Sequence, residues 1–230
     1  VPNYSSNHSI YILQCIFLDN EAVSSWGWGG GIATSDGVNM YIKNNYFMDN
    51  VSGGGGALFF GDYSASGGTN NFYIYNNTIY RNAATHDGWS GSYYSCGGIS
   101  MYSGSEYMNY YLANNVIAYN VVGGQGSGNY YFDLLPYSGS AYLNNHYIWL
   151  VKNRVYRVYD PWLDSYDSYS VADIFGDGSL YTGMYIALDD AKRWRFTSPS
   201  SSLVGQADAT YATSTDINGV SRPQGSGDDI

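Results

Sequence analysis

Carboxylates are where chemistry would be sought first in this chain, and they gather late. The stretch "DPWLDSYDSYSVADIFGDG" carries Asp160, Asp164, Asp167, Asp173 and Asp177. Oxygen ligands collected by one loop could hold calcium, the only cofactor these residues suggest. Their spacing fits neither an EF-hand loop nor a nonapeptide calcium repeat, so the motif has little specificity. Paired carboxylates also serve glycoside hydrolysis, and a lyase would add a Lys or Arg as base. Elsewhere charge is sparse. Asp19 and Asp49 hold equivalent places in two similar segments, where the next two put Arg81 and Tyr119. A solvated turn with a modest Asp49–Arg81 ion pair is the expectation there, not a catalytic dyad. His8, His86 and His146 are far apart and lie beside turns. "KRWR" at 192–195 alternates basic and aromatic residues, but four residues in an acidic chain read as an edge strand, not a polyanion site. No catalytic constellation emerges, and the chain is not expected to be an enzyme.

The elements that would position these residues are written in a repeat. "SIYILQCIFLDN" (9–20), "NMYIKNNYFMDN" (39–50), "NFYIYNNTIYRN" (71–82) and "NYYLANNVIAYN" (109–120) align without gaps, and "SAYLNNHYIWLV" (140–151) reads as a decayed fifth copy. Each half alternates with the period of a strand and favours Tyr, Ile and Phe, which suit strands. The central Asn pair interrupts the alternation. Asn tolerates the left-handed conformation of a tight bend, and stacked Asn amides can bond to one another. "GGGI" (29–32), "GGAL" (55–58) and "CGGI" (96–99) follow three of the copies and read as glycine bends opening a further strand. Polar, Gly-rich segments of unequal length separate these signatures. A constant core motif with variable insertions is the mark of a solenoid, because insertions leave the stack as loops.

The expected fold is therefore all-β, a right-handed parallel β-helix with long irregular loops. Rungs are expected over 1–151, an irregular insertion or atypical rungs over 152–197, and a closing segment of the same domain over 198–230. Two structural ladders are expected, Asn45–Asn77–Asn115 and Asn50–Asn82–Asn120, with neighbours roughly 4.8 Å apart. Cys15 should continue the first.

Composition limits the partners. The 230 residues include 27 Tyr and 29 Gly, only 12% are charged, and the net charge is −10 with nine basic residues, which leaves no electrostatic footprint for nucleic acid. High aromatic and low charged content argues for a folded chain. No apolar run approaches the ~20 residues of a membrane helix. The chain opens at Val1 without an initiator Met, as expected where a leader has been removed. Cys15 and Cys96 fit no zinc spacing and are expected as unbridged thiols.

The pairing of "GGGI", "GGAL" and "CGGI" with "FLDN" and "FMDN" resembles the repeats of polymorphic outer membrane proteins, although "IYRN" and "IAYN" replace the Phe with Ile. In such repeats the second residue of the Asn pair is often Cys, the slot Cys15 fills. The tail, "SPSSSLVGQADATYATSTDINGVSRPQGSGDDI" (198–230), resembles the end of choice-of-anchor Q proteins, in which Asp216, Gly219, Arg222 and Pro223 match a D-x-x-G-x-x-R-P element. These resemblances imply an extracellular, surface-displayed β-helix and say little about activity. The expected role is a structural subunit of a filament, tube or sheath, or an adhesin, whose partners are copies of itself. Assembly is expected through the first rung, around Ile10, Ile12 and Phe17. The alternatives are a polysaccharide-active β-helix enzyme with its carboxylates in 152–196, and a carbohydrate-binding module that uses exposed Tyr and Trp.

Overall fold

The computed structural model describes residues 8–22, 27–34, 38–62, 69–85, 96–103, 107–124, 128–131, 134–138, 146–151, 154–155, 186–188, 194–196 and 207–222. Each of the first three rungs has four strands. They are β1 (His8–Leu13), β2 (Ile16–Leu18), β3 (Glu21–Ala22) and β4 (Ile32–Thr34), then β5 (Val38–Lys43), β6 (Tyr46–Met48), β7 (Val51–Ser52) and β8 (Leu58–Asp62), then β9 (Thr69–Tyr75), β10 (Thr78–Tyr80), β11 (Ala83–Ala84) and β12 (Ile99–Ser103). The fourth rung holds β13 (Tyr107–Ala113), β14 (Val116–Ala118), β15 (Val121–Gly124), β16 (Gly128–Tyr131) and β17 (Leu134–Ser138); the fifth holds β18 (His146–Val151) and β19 (Arg154–Val155).

Four sheets run along the stack, ordered β1-β5-β9-β13-β18, β2-β6-β10-β14-β19, β3-β7-β11-β15-β16 and β4-β8-β12-β17. Every pairing in them is parallel except β15–β16, where the chain folds back on itself. The chain is an all-β parallel β-helix. A separate antiparallel pair joins β20 (Ile186–Leu188) to β21 (Trp194–Phe196), which places part of "KRWR" in a strand.

The register explains the repeat. Tyr11, Tyr41, Tyr73 and Tyr111 are partners across the first sheet, with Ile12, Ile42, Ile74 and Leu112 beside them. Alternation sends Met40, Ile42, Phe72, Ile74, Tyr110 and Leu112 into one buried core with Phe47, Ile79 and Ile117. Like packs on like: Phe17 stacks on Phe47 at 4.6 Å and Phe72 on Tyr110 at 5.2 Å between centroids. Such offset aromatic pairs add stability beyond their buried area.

Two bends in each of the first four rungs use the left-handed region. Gln14, Asn44, Asn76 and Asn114 occupy it at the first bend, and Asp19, Asp49, Arg81 and Tyr119 at the second, all with φ between 54° and 59°. The glycine signature serves both bending, with Gly29 at φ 63° and Gly55 at φ 66°, and closeness. A Cβ on Gly56 would lie 2.4 Å from the Gly97 carbonyl oxygen, and one on Gly97 would lie 2.3 Å from the Val121 nitrogen. Successive rungs approach there to a distance that excludes any side chain.

The fifth copy stands in a different register from the alignment above. Asn109 pairs with Tyr147, not with Ser140, and Leu112 pairs with Leu150. The pair Asn144–Asn145 precedes β18 in sequence, whereas the earlier pairs follow the strand of the first sheet. The alternating segment "HYIWLV" claims the sheet position because strand propensity and period-two pattern outweigh a matching Asn pair. The fifth rung then runs through β19, which pairs Arg154 with Val116.

Candidate functional site

The inner faces of the two bends are hydrogen-bonded ladders. Asn77 donates Nδ2 to Asn115 Oδ1 at 3.0 Å and to the Ile42 carbonyl at 2.8 Å. Its own Oδ1 accepts from the Asn45 backbone at 3.0 Å and from Asn45 Nδ2 at 2.9 Å. Asn45 Oδ1 in turn accepts the Cys15 backbone N–H at 2.9 Å, so Cys15 stands at the end of this column. Asn20, Asn50, Asn82 and Asn120 repeat the pattern at the second bend, with side-chain bonds of 2.7 to 2.8 Å. Asn45, Asn50, Asn77, Asn82, Asn115 and Asn120 are all buried, and the amides of Asn45, Asn50, Asn77 and Asn82 each span three rungs to satisfy backbone groups the bends would orphan.

Only the second member of each first-bend pair faces inward. The first member faces the C-terminal segment 207–222. Asn114 exchanges two bonds with Asp208, donating Nδ2 to its carbonyl at 2.9 Å and accepting its N–H at 2.7 Å. Asn76 donates to the Tyr211 carbonyl, Asn44 to the Thr215 carbonyl at 3.0 Å, and Gln14 to the Asp216 carbonyl at 3.2 Å. The segment thus descends from the fourth rung to the first. Its Asp-x-x-Gly-x-x-Arg element is a small hairpin: Asp216 Oδ1 accepts the N–H groups of Asn218 and Val220, Gly219 sits at φ 79°, and the Arg222 N–H reaches the Ser214 carbonyl at 2.9 Å. This outer column was not evident in the repeat. The available signal was a carboxamide at every outward first-bend position.

On the outer face of the first sheet, Tyr11, Tyr41, Tyr73 and Tyr111 stack with centroids 4.7, 4.6 and 4.8 Å apart and planes within 10°. Beside them Asn39, Asn71 and Asn109 form a third, half-buried amide ladder with bonds of 2.7 and 2.9 Å. Lys43 Nζ sits 5.5 Å from the Tyr41 ring and 5.1 Å from Tyr75. Because the rings cover one another's faces, Tyr41 and Tyr73 show their edges and hydroxyls outward. Burial, followed by the neighbouring Tyr211, Tyr73, Tyr111 and Tyr41, pushes the Tyr75 hydroxyl up to about 12. Tyr73 and Tyr80 are raised too, burial being the main cause.

Asp49 and Arg81 meet at the second bend in a two-pronged pair at 2.9 and 2.6 Å. The hydrogen bonds Arg81 donates to Asp49 are the main cause of the raised Arg81 pKa. His8 is exposed on β1 and distant in sequence from the other histidines. Asp160, Asp164, Asp167, Asp173, Asp177 and His86 lie outside the described residues. Among the described residues, no three His, Cys, Asp or Glu side chains gather as metal ligands. Cys15 is exposed and Cys96 buried, and neither is in a disulfide. Among the described residues, no helix is long and apolar enough to cross a membrane. No family model matches the chain, and neither a curated protein nor a solved structure matches it.

Proposed function

We propose that the chain is a non-enzymatic, extracellular structural subunit that joins copies of itself end to end along the β-helix axis. The observation that carries this reading is the first rung. Among the described strands, β1, β2, β3 and β4 each form the edge of their sheet, the kind of edge that templates pairing with another chain. The core is open there: Ile10 is 41% exposed although its register partner Met40 is 3% exposed. Tyr11 at 63% and Ile16 at 48% extend the apolar edge. The second-bend ladder ends on this face in Asn20, in a form that a further rung would continue, whereas the first-bend ladder ends in Cys15. Asn20 donates to Asn50, and a preceding rung would bond to its Oδ1 as Asn20 bonds to Asn50.

Surface display rests on the resemblance to polymorphic outer membrane protein repeats and to the tail of choice-of-anchor Q proteins. A role in adhesion shares that basis. The sugar-binding alternative draws on the Tyr ladder, but stacking onto a sugar needs a free ring face. The ladder offers that mainly at Tyr11.

Light scattering of the full chain over a concentration series tests the reading. The wild type should grow in mass with concentration. Ile12→Asp and Ile10→Asp should hold it at one copy while circular dichroism of the sheets is retained. Equal assembly by the variants, with the sheets intact, contradicts the reading.

A further inference from the structure

The two bends of each rung have the same backbone and differ in side chain. At the second bend, Asp19, Asp49, Arg81 and Tyr119 all adopt φ of 54° to 59°, so the left-handed conformation alone does not demand an amide. At the first bend, the equivalent positions are Gln14, Asn44, Asn76 and Asn114, a carboxamide on all four rungs. What differs is the surface they face. The first bend faces the carbonyls of Asp208, Tyr211, Thr215 and Asp216, which accept from it. An aspartate there could not donate to the strap, and the carbonyls of Asp208, Thr215 and Asp216 would keep only their bonds within the strap, from the Tyr211 and Ala212 N–H groups, the Thr213 hydroxyl and the Gly219 N–H.

We propose that residues 207–222 are a strap that locks the first four rungs, and that the outward carboxamides are its latch. The latch reads backbone, because three of its four positions bond only main-chain atoms of the strap; Gln14 also reaches Thr215 Oγ1 at 3.3 Å. Strap side chains shape the strap itself: Asp208 Oδ1 accepts the Thr210 N–H at 2.9 Å, and Asp216 closes the hairpin. No residue of the strap is buried, and its ring contact with the stack is Tyr211 against Tyr75 at 5.4 Å. A segment held by surface hydrogen bonds and little apolar burial opens separately from the core it lies on. Its contacts join residues 94 to 202 positions apart and need the rungs already in register. Closure therefore follows stacking, and its loss speeds unfolding more than it slows folding.

The variant Asn44→Asp/Asn76→Asp/Asn114→Asp tests this in the full chain. Aspartate keeps the shape and the left-handed conformation, removes the donor and adds a charge, which Arg81→Asp also adds at the other bend. Hydrogen exchange of 207–222 should accelerate at least about tenfold, since several bonds are lost at once, while the rung amides of 39–52 and 71–84 keep their protection. Arg81→Asp, at the equivalent position of the second bend, should leave the strap unchanged. Strap exchange within about twofold of wild type in the triple variant would overturn the proposal, as would equal acceleration by Arg81→Asp. Should the triple variant not fold, Asn44→Asp alone should accelerate the amides near Thr215 and spare those near Asp208. Uniform exchange along the strap in that variant would equally overturn it.

Discussion

Asn77 Oδ1 accepts both the backbone N–H and the side-chain Nδ2 of Asn45, at 3.0 and 2.9 Å, while Asn77 Nδ2 reaches past Asn45 to the Ile42 carbonyl. Its Nδ2 also donates to Asn115 Oδ1 at 3.0 Å, so one buried amide ties its own rung to both neighbours. Asn77→Ala should leave the Asn45 N–H, the Asn45 amide and the Ile42 carbonyl without these partners. At ~1–3 kcal/mol for each buried polar group left unsatisfied, a loss of several kcal/mol is expected in denaturant unfolding.

The glycine signature answers to a different constraint. Gly56→Ala would press a methyl against the Gly97 carbonyl oxygen at 2.4 Å and the Ala83 carbonyl at 2.7 Å, where backbone lies on both sides. Overpacking of this kind costs ~1–3 kcal/mol or more. Thermal unfolding should show the loss, and Gly219→Ala should show less, because nothing lies within 4 Å of that position. What remains at Gly219 is the strain of φ 79°.

The Asp49–Arg81 pair is exposed, and its effect should be small. Arg81→Asn removes the ion pair and supplies a residue that accepts φ 55° more readily. A stability change within about 1 kcal/mol is expected, and high salt should shrink it further.

Alkaline pH should loosen the Tyr75–Tyr211 contact. The folded chain holds the Tyr75 proton to about 12, against an ordinary value of 10.0, so the unfolded chain releases it first. Stability from this group is complete below pH 10 and falls as pH rises through 12. A series of denaturant melts should show that decline, and Tyr75→Phe should flatten part of it.

The parallel β-helix was legible because each rung repeats its strand pattern, its two bends and its glycine approach in a fixed order. Tyr41, Tyr73 and Tyr111 recur at one place in the repeat and stack at one place in space. The fifth rung was misaligned because Asn144–Asn145 imitates the bend signature while the strand pattern lies just beyond it. The strap was not legible for a physical reason. It is held mainly through its own carbonyls, which every residue carries, so its sequence keeps no imprint of the partner. The imprint is on the other side, in Gln14, Asn44, Asn76 and Asn114, where it blends with the Asn ladder one residue later. The five late aspartates belong to residues outside the described set, so the calcium and carboxylate readings have no geometry to rest on.

The central claim is axial joining of copies through the first rung, and fibre diffraction from the concentrated, aligned full chain tests it most directly. Strands in such a filament lie across its axis, so the inter-strand reflection of roughly 4.8 Å should be meridional. It should vanish with the filaments in Ile10→Asp and Ile12→Asp. A monodisperse monomer at high concentration, or filaments with that reflection on the equator, would contradict the account.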